Sequence, residues 1–162
     1  MKKWILSGIA ALAAVVAIIV TVALLAGEKT VGSAYAEQDG DGNVVIRRRA
    51  LSADQVSFIR IAEDSNIELL ARIGEDGGIK VALGTCQACN GSPRAYYTQE
   101  GDVLKCNNCG LTFPLAVLDE PGGGCHPLMF SSSFVQASDG EVRLNLEALL
   151  QCEPLFEKVA AH

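Results

Sequence analysis

The sequence predicts a small, mainly β domain that follows one N-terminal transmembrane helix and ends in a short C-terminal helix. Three observations lead to this prediction. From residue 55 onward, short apolar runs alternate with turns rich in Gly and Asp. Two Cys-x-x-Cys pairs stand where such runs end. One uncharged segment, residues 5–26, is long enough to cross a bilayer.

The apolar segment near the N-terminus is expected to be an uncleaved, single-pass anchor in the cell membrane. Its 22 residues would span about 33 Å as a helix, enough to cross a bilayer core. Lys2 and Lys3 precede it and acidic residues dominate after it, which predicts that the C-terminal domain is extracytoplasmic. A cleaved signal peptide is the alternative, because Ala34-Tyr35-Ala36 offers a cleavage pattern. The segment exceeds the usual signal core of about 7–15 residues, which favours the anchor.

The chain after the anchor is expected to contain a linker, a cysteine domain and a C-terminal piece. We assign residues 1–27 to the transmembrane anchor or signal peptide, 28–53 to a linker, 54–137 to a four-cysteine metal-binding β domain, and 138–162 to a C-terminal strand and helix. The linker contains the run Asp39-Gly40-Asp41-Gly42-Asn43 and little to bury. This run lacks the glutamate that completes a calcium loop, so a flexible turn is expected.

Apolar runs between turns predict the strands. The third run leads to Cys86 and the fifth leads to Cys106, so both cysteine pairs lie at strand ends, as in zinc-ribbon and rubredoxin-like knuckles. Pro114 predicts an edge strand for the run that contains it. A helix over 147–152 is expected to break at Pro154 and to continue over 155–159. The predicted strands are 56–61, 67–73, 79–83, 95–98, 103–105, 111–117 and 142–146.

The two cysteine pairs are the strongest chemical signal in the chain. Cys86 and Cys89 form one pair, Cys106 and Cys109 the other, and sixteen residues separate the pairs. Two residues between cysteines let a tight turn aim both sulfurs at one ion, and Gly110 suits the positive φ at the exit of such a turn. Four thiolates fit tetrahedral zinc, tetrahedral iron or an iron–sulfur cluster. Two disulfides are the alternative, because exported cysteines oxidise readily.

Other chemistries find little support. Neither pair is followed by His, which excludes covalent c-type haem attachment. A Rieske centre would need both histidines of the chain, His126 and His162, as ligands. Apart from Lys2 and Lys3, 11 basic side chains stand against 19 acidic ones, which argues against nucleic-acid partners. No Ser-His-Asp set, placed carboxylate pair or phosphate loop is found, so a non-enzymatic electron-transfer or metal-binding role is favoured.

A glycine-rich loop carries the fifth cysteine. Three glycines, 122–124, precede Cys125 and His126, and their lack of side chains lets the backbone approach another group closely. We expect Cys125 or His126 to lie beside the metal centre. The alternative is a flexible loop whose thiol pairs with Cys152. Otherwise Cys152 is expected to be a buried or free thiol at a helix end and not a ligand.

Together with Tyr96-Tyr97, the two cysteine pairs and the Gly-Gly-Cys loop resemble the FtrD-like membrane iron–sulfur proteins. The likeness covers about residues 58–127 and the single membrane segment. Family members usually carry Asn-Pro after the loop cysteine, and His126 occupies the Asn position here. The resemblance implies a redox or metal centre, either iron or an iron–sulfur cluster, with zinc as the alternative. The implied ligands are Cys86, Cys89, Cys106 and Cys109, joined by Cys125.

The same resemblance implies a role in ferrous-iron uptake. The family is linked to a high-affinity iron permease, a periplasmic iron-binding protein and a cupredoxin, which are the expected partners. The expected function is therefore that of a membrane-anchored, extracytoplasmic iron or iron–sulfur protein in electron transfer or metal handling. A structural zinc ribbon without redox activity and an iron-delivery module are the alternatives.

Overall fold

In the part of the chain that the computed structural model describes, residues 34–131 and 133–160, three small β-sheets are followed by one short α-helix. The helix, α1, covers Leu146–Leu150. Short 3₁₀ turns cover Arg48–Ala50, Gln87–Cys89, Leu115–Leu118 and Glu153–Leu155. The strands are β1 (Ala34–Tyr35), β2 (Glu37–Gln38), β3 (Asn43–Arg47), β4 (Ser57–Arg60), β5 (Glu68–Ile73), β6 (Ile79–Leu83), β7 (Tyr97–Glu100), β8 (Val103–Cys106), β9 (Thr112–Pro114), β10 (Val135–Ala137) and β11 (Glu141–Asn145). The prediction of a mainly β fold with a short C-terminal helix is confirmed.

The sheets are built largely from strands that follow one another in sequence. The first sheet has the order β1-β4-β5-β6 and is antiparallel except for the β1–β4 pair. The third sheet, β7-β8-β9, is antiparallel throughout. The second sheet, β10-β11-β3-β2, differs because β3 pairs with the distant β11. That pairing places a strand from near the beginning of the described chain beside a strand from near its end.

The first sheet buries side chains on both of its faces. In β5, Leu69 and Ala71 belong to one core and Leu70 belongs to another, because successive side chains of a strand point to opposite faces. The first core lies between this sheet, the second sheet and α1, and includes Val44, Ile46, Ile59, Leu69, Leu83, Val142, Leu144 and Leu149. The second core includes Val56, Leu70, Ala82, Cys86, Cys89, Ala95, Tyr97, Leu104, Cys106, Leu115, Val117 and Leu118. The cysteine pairs are therefore part of a hydrophobic core.

The prediction that residues 28–53 form a linker is wrong for residues 34–47. Within the range 28–53, residues 34–47 contribute β1, β2 and β3, and Val44, Val45 and Ile46 are at most 4% exposed. The burial of these three apolar residues depends on pairing with β11, almost a hundred residues away, which the neighbouring sequence does not indicate. The preceding Asp-Gly turn is fixed by Asp39, whose carboxylate accepts hydrogen bonds from the backbone N–H groups of Asp41 and Asn43.

Two further segments differ from expectation. The strand predicted over 111–117 is limited to β9, and the following Leu115–Leu118 forms a 3₁₀ turn that packs its leucines into the second core. Pro114 ends β9 at the edge of its sheet, as predicted. Strand β10 was not predicted. Helix α1 ends at Leu150, earlier than expected, and its start is capped by the Asn145 side chain, which accepts from the Ala148 N–H at 2.9 Å.

The predicted membrane anchor, residues 5–26, lies outside the described residues. Among the residues that are described, no helix has the length and apolar character needed to cross a membrane. From residue 34 on, the described chain belongs to one compact unit. The boundaries expected at residues 27 and 137 stay predictions.

Candidate metal centre

The first cysteine pair extends from the end of β6. The Cys86 N–H donates to the Ala95 carbonyl at 2.9 Å, and the Cys89 N–H donates back to the Cys86 carbonyl at 3.1 Å. These bonds fold Gln87–Cys89 into a single 3₁₀ turn. The chain leaves this turn through Gly91, whose φ is 92°. The turn places Cys86 and Cys89 on the same side, facing the second core.

The second pair is built in the same way at the end of β8. The Cys106 N–H donates to the Leu111 carbonyl, and the Gly110 N–H donates to the Cys106 carbonyl, both at 2.9 Å. Gly110 has a φ of 76°, a conformation that side chains disfavour. The positive φ predicted at Gly110 is confirmed.

Hydrogen bonds hold the two turns against each other. The Asn107 N–H donates to the Tyr96 carbonyl at 2.9 Å, and the Ser92 hydroxyl donates to the Asn108 side-chain oxygen at 2.7 Å. In the ladder between β7 and β8, Tyr97 is paired with Cys106. The relative position of the two cysteine pairs is thus set by backbone pairing as well as by the sulfurs.

Five sulfur atoms converge between the turns and the glycine-rich loop. Cys86, Cys89 and Cys106 form one group whose sulfurs lie within 4.8 Å of one another, and Cys89, Cys109 and Cys125 form a second group of the same size. Cys89 is common to both. The sulfurs of Cys89 and Cys106 are 3.8 Å apart, and those of Cys109 and Cys125 are 3.5 Å apart. The fold therefore brings together all five cysteines that the sequence singled out.

The glycine-rich loop is held in place by Tyr97 and His126. The Tyr97 hydroxyl donates to the Cys125 carbonyl at 2.8 Å. The His126 ring stands edge-on to Phe113, with 5.0 Å between ring centroids. A Cβ atom on Gly122 would lie 1.9 Å from the His126 Nδ1, so this close approach requires glycine at position 122. The loop glycine thus accommodates an imidazole ring.

Cys152 lies apart from the other five cysteines. Its side chain packs against the first core, whereas Cys125 packs against the second. All six cysteines are free thiols. The Cys152 Sγ lies 4.0 Å from the carbonyl oxygen of Ala148, a residue of α1 four positions earlier in the chain. This arrangement does not form the Cys125–Cys152 pair that was the alternative for the loop.

The five thiols differ in burial and in acidity. Cys86 and Cys106 have no exposed surface, whereas Cys109 is exposed. Burial raises the pKa of Cys106 to about 12, and burial likewise raises the pKa of Cys125 well above its usual value. The Asn108 side chain, through a hydrogen bond, lowers the pKa of Cys89 to about 7. The sulfur common to both groups therefore ionises near neutral pH.

Burial also raises the pKa of the Tyr97 hydroxyl far above its ordinary value. This hydroxyl consequently stays protonated and remains a hydrogen-bond donor. Sequence reasoning assigned no role to Tyr97 or to Asn108. The signals were slight, since Asn108 is a spacer residue of a Cys-x-x-Cys pair and Tyr97 is one of two adjacent tyrosines.

The donor set fits a thiolate-bound metal. A tetrahedral ion with metal–sulfur bonds of about 2.3 Å holds its sulfurs about 3.8 Å apart. The measured sulfur separations of 3.8 and 3.5 Å are close to this edge length. Sulfur-only donors suit zinc, iron and iron–sulfur clusters rather than calcium or magnesium, which prefer oxygen ligands. The cysteine cluster can therefore hold a metal, and both iron and zinc suit its sulfur donors.

Comparison with known proteins agrees with this chemistry. The family model described as "Membrane iron-sulfur containing protein FtrD-like" matches residues 51–156, which is more than half of the chain. The match extends beyond the cysteine region and includes β4 to β11 and α1. Searches of curated proteins and of solved structures found no match. On the strength of the family match, the chain belongs to the FtrD-like family of membrane iron–sulfur containing proteins.

Proposed function

We propose that this chain is a membrane-anchored, extracytoplasmic iron or iron–sulfur protein that transfers electrons or handles metal during iron uptake. The observation that carries the proposal is the convergence of five cysteine sulfurs at the edge of a hydrophobic core. The family description supports iron–sulfur content and a membrane location. The iron-uptake setting, with an iron permease, a periplasmic iron-binding protein and a cupredoxin as partners, is supported by the family resemblance.

Each cysteine has a distinct part in this proposal. Cys86, Cys89 and Cys106 would bind from the buried side, and Cys109 and Cys125 from the side that faces solvent. A single tetrahedral ion takes four of these five thiolates. Iron bound by thiolates supplies a one-electron redox couple. The surrounding apolar side chains of the second core exclude water from the buried side and keep the local dielectric low.

The exposed edge of the cluster supports electron exchange with a partner. Cys109 is exposed, and Leu111, two residues later, is 53% exposed. An exposed apolar residue close in sequence to an exposed cysteine offers a small contact surface for another redox protein. A centre buried on all sides would not offer this access.

A structural zinc ribbon is the second candidate. The sulfur separations are equally compatible with a zinc ion and with a single iron ion. Metal analysis and visible absorption of the full chain, purified anaerobically in detergent, separate the two. We expect stoichiometric iron and thiolate-to-iron absorption bands that bleach on reduction. Stoichiometric zinc without colour would contradict the redox proposal and support the zinc ribbon.

The choice between electron transfer and metal handling requires a second measurement. A protein that transfers electrons should keep its iron through repeated oxidation and reduction, and a redox titration should give a reversible potential. A protein that delivers iron should lose it to a chelator on a change of redox state. We expect retention, because the three inner sulfurs are buried.

A further inference from the structure

Tyr97 is the largest side chain with no exposed surface among the described residues. A buried hydroxyl is costly unless it forms a hydrogen bond. Here it donates to the backbone carbonyl of Cys125 at 2.8 Å, a contact between residues 28 apart in sequence. The buried tyrosine thus binds the backbone of a residue whose sulfur belongs to the cluster.

The other end of Tyr97 is fixed by the sheet. It belongs to β7 and is paired with Cys106 in the ladder with β8. Since Cys106 is itself one of the buried cysteines of the cluster, the backbone position of Tyr97 is set relative to the inner sulfurs. Its side chain therefore links the β-sheet that carries the second cysteine pair to the loop that carries the fifth cysteine.

The loop has few other means of fixing Cys125. The glycines before it have no side chains, and a Cβ atom on Gly123 or Gly124 would contact nothing within 4 Å. The His126 N–H bond to the Gly123 carbonyl, at 3.3 Å, is internal to the loop. The ring contact between His126 and Phe113 acts on the residue after Cys125. The Tyr97 hydroxyl acts directly on the backbone of Cys125.

We propose that Tyr97 is a positioning residue of the cluster, whose hydroxyl holds the Cys125 sulfur beside that of Cys109. This inference refines the proposed function by assigning control of the fifth thiol to a residue that does not bind metal. Without the hydroxyl, the four knuckle cysteines keep their places and the Cys125 sulfur leaves the cluster for part of the time.

The test compares the Tyr97→Phe protein with wild type by thiol alkylation. The full chain is treated, as purified, with iodoacetamide, and the modification rate of each cysteine is measured by mass spectrometry. Phe keeps the ring that fills the core and removes only the hydroxyl. We expect Cys125 to react about fivefold faster, the change expected for loss of one hydrogen bond of ordinary strength. Cys89, Cys106 and Cys152 should keep their rates, whereas Cys86 is not used as a reference because its thiol interacts with the same hydroxyl.

Tyr35→Phe, at a tyrosine that is 51% exposed on β1, is the matched control and should change no rate. Equal Cys125 rates in wild type and Tyr97→Phe would overturn the proposal. A uniform increase at all cysteines would also overturn it, because it would indicate general loosening of the core. The readout works whether the protein carries iron or zinc, so failure of the proposed function would appear separately, in the metal analysis.

A second readout connects the hydroxyl to the metal. If Cys125 is a ligand, Tyr97→Phe should shift the absorption spectrum in the same direction as Cys125→Ser and by a smaller amount. A spectrum that moves with Cys125→Ser and stays unchanged with Tyr97→Phe would contradict the positioning role.

Discussion

At the scale of single residues, the five cysteines of the cluster are chemically unequal. Cys86 and Cys106 are fully buried, Cys109 is exposed, and Cys89 belongs to both sulfur groups. Burial disfavours the thiolate of Cys106, so a bound cation has to supply the free energy that deprotonates this thiol. A substitution at each position should therefore act on both metal binding and core stability.

Replacement of Cys86, Cys89, Cys106 or Cys109 by Ser should abolish stoichiometric metal and lower the unfolding temperature. The reason is that a small site of this kind couples metal binding to folding. Cys152→Ser is the control and should retain metal, since Cys152 packs against the other core. Metal content and thermal unfolding of each variant check this. Full metal retention by Cys106→Ser would contradict the thiolate centre.

The lowered pKa of Cys89 predicts a pH dependence of metal binding. With a pKa of about 7, Cys89 is mainly a thiolate at about pH 8 and mainly a thiol at about pH 6. Binding of Zn²⁺ to the metal-free protein should therefore release about one more proton at the lower pH. Titration calorimetry in buffers of different ionisation enthalpy measures this release. Asn108→Ala should remove most of the difference, because the pKa of Cys89 then returns toward its usual value. Equal proton release at both pH values in wild type would contradict the assignment.

At the scale of elements, the site consists of two strand ends and one loop. The strand ends are held by ladders and by turn hydrogen bonds, so their sulfurs are positioned locally. The loop has no ladder, and its shape depends on the contact between Gly122 and the His126 ring. This difference predicts that the loop is the element most sensitive to small substitutions.

Gly122→Ala should displace the loop, because its new Cβ would overlap the His126 ring. Overpacking of this kind costs about 1–3 kcal/mol. The expected result is weaker metal binding together with faster alkylation of Cys125. Gly123→Ala is the matched control, since a Cβ there meets nothing within 4 Å and no left-handed φ is required. Identical metal affinities for the two variants would show that the Gly122 contact does not shape the site.

At the scale of the whole molecule, two cores share the first sheet. The first core depends on the β3–β11 pairing and contains none of the five cluster cysteines. The second core contains Cys86, Cys89 and Cys106 among its apolar residues. Stability should therefore depend on metal in one half of the described chain more than in the other.

Removal of metal with a chelator should reduce amide protection in β7 and β8 and leave β3 and β11 nearly unchanged. Chelation removes the metal that would bind the cysteines of the second core to one another. The first core contains none of these cysteines and keeps all of its contacts. Hydrogen exchange with mass spectrometry, before and after chelation, measures both regions. Equal loss of protection in both cores would instead indicate a single cooperative unit.

The predicted anchor is tested on the full chain. If residues 5–26 remain as a single span, the intact protein should fractionate with membranes and keep its N-terminus. Deletion of that segment should release the remaining chain in soluble form. A mature protein that begins at Glu37 would contradict the anchor and support a cleaved signal peptide.

The sequence by itself predicts the mainly β class and most strands of the cysteine region. It also predicts both Cys-x-x-Cys turns and the positive φ at Gly110. These features are local, because alternating apolar runs, Cys-x-x-Cys spacing and a glycine at a turn exit each depend on a few neighbouring residues. The five cluster cysteines could be named for the same reason, since each stands in a recognisable motif or loop.

Only the tertiary structure decided how these pieces meet. Burial of Val44 to Ile46 required a partner strand almost a hundred residues later, which no short window of sequence reveals. Tyr97 contacts the Cys125 backbone, and Asn108 lowers the pKa of Cys89, because the fold brings separate segments of the chain together. Such contacts are set by the packing of whole elements, and their energies depend on burial that local sequence does not specify.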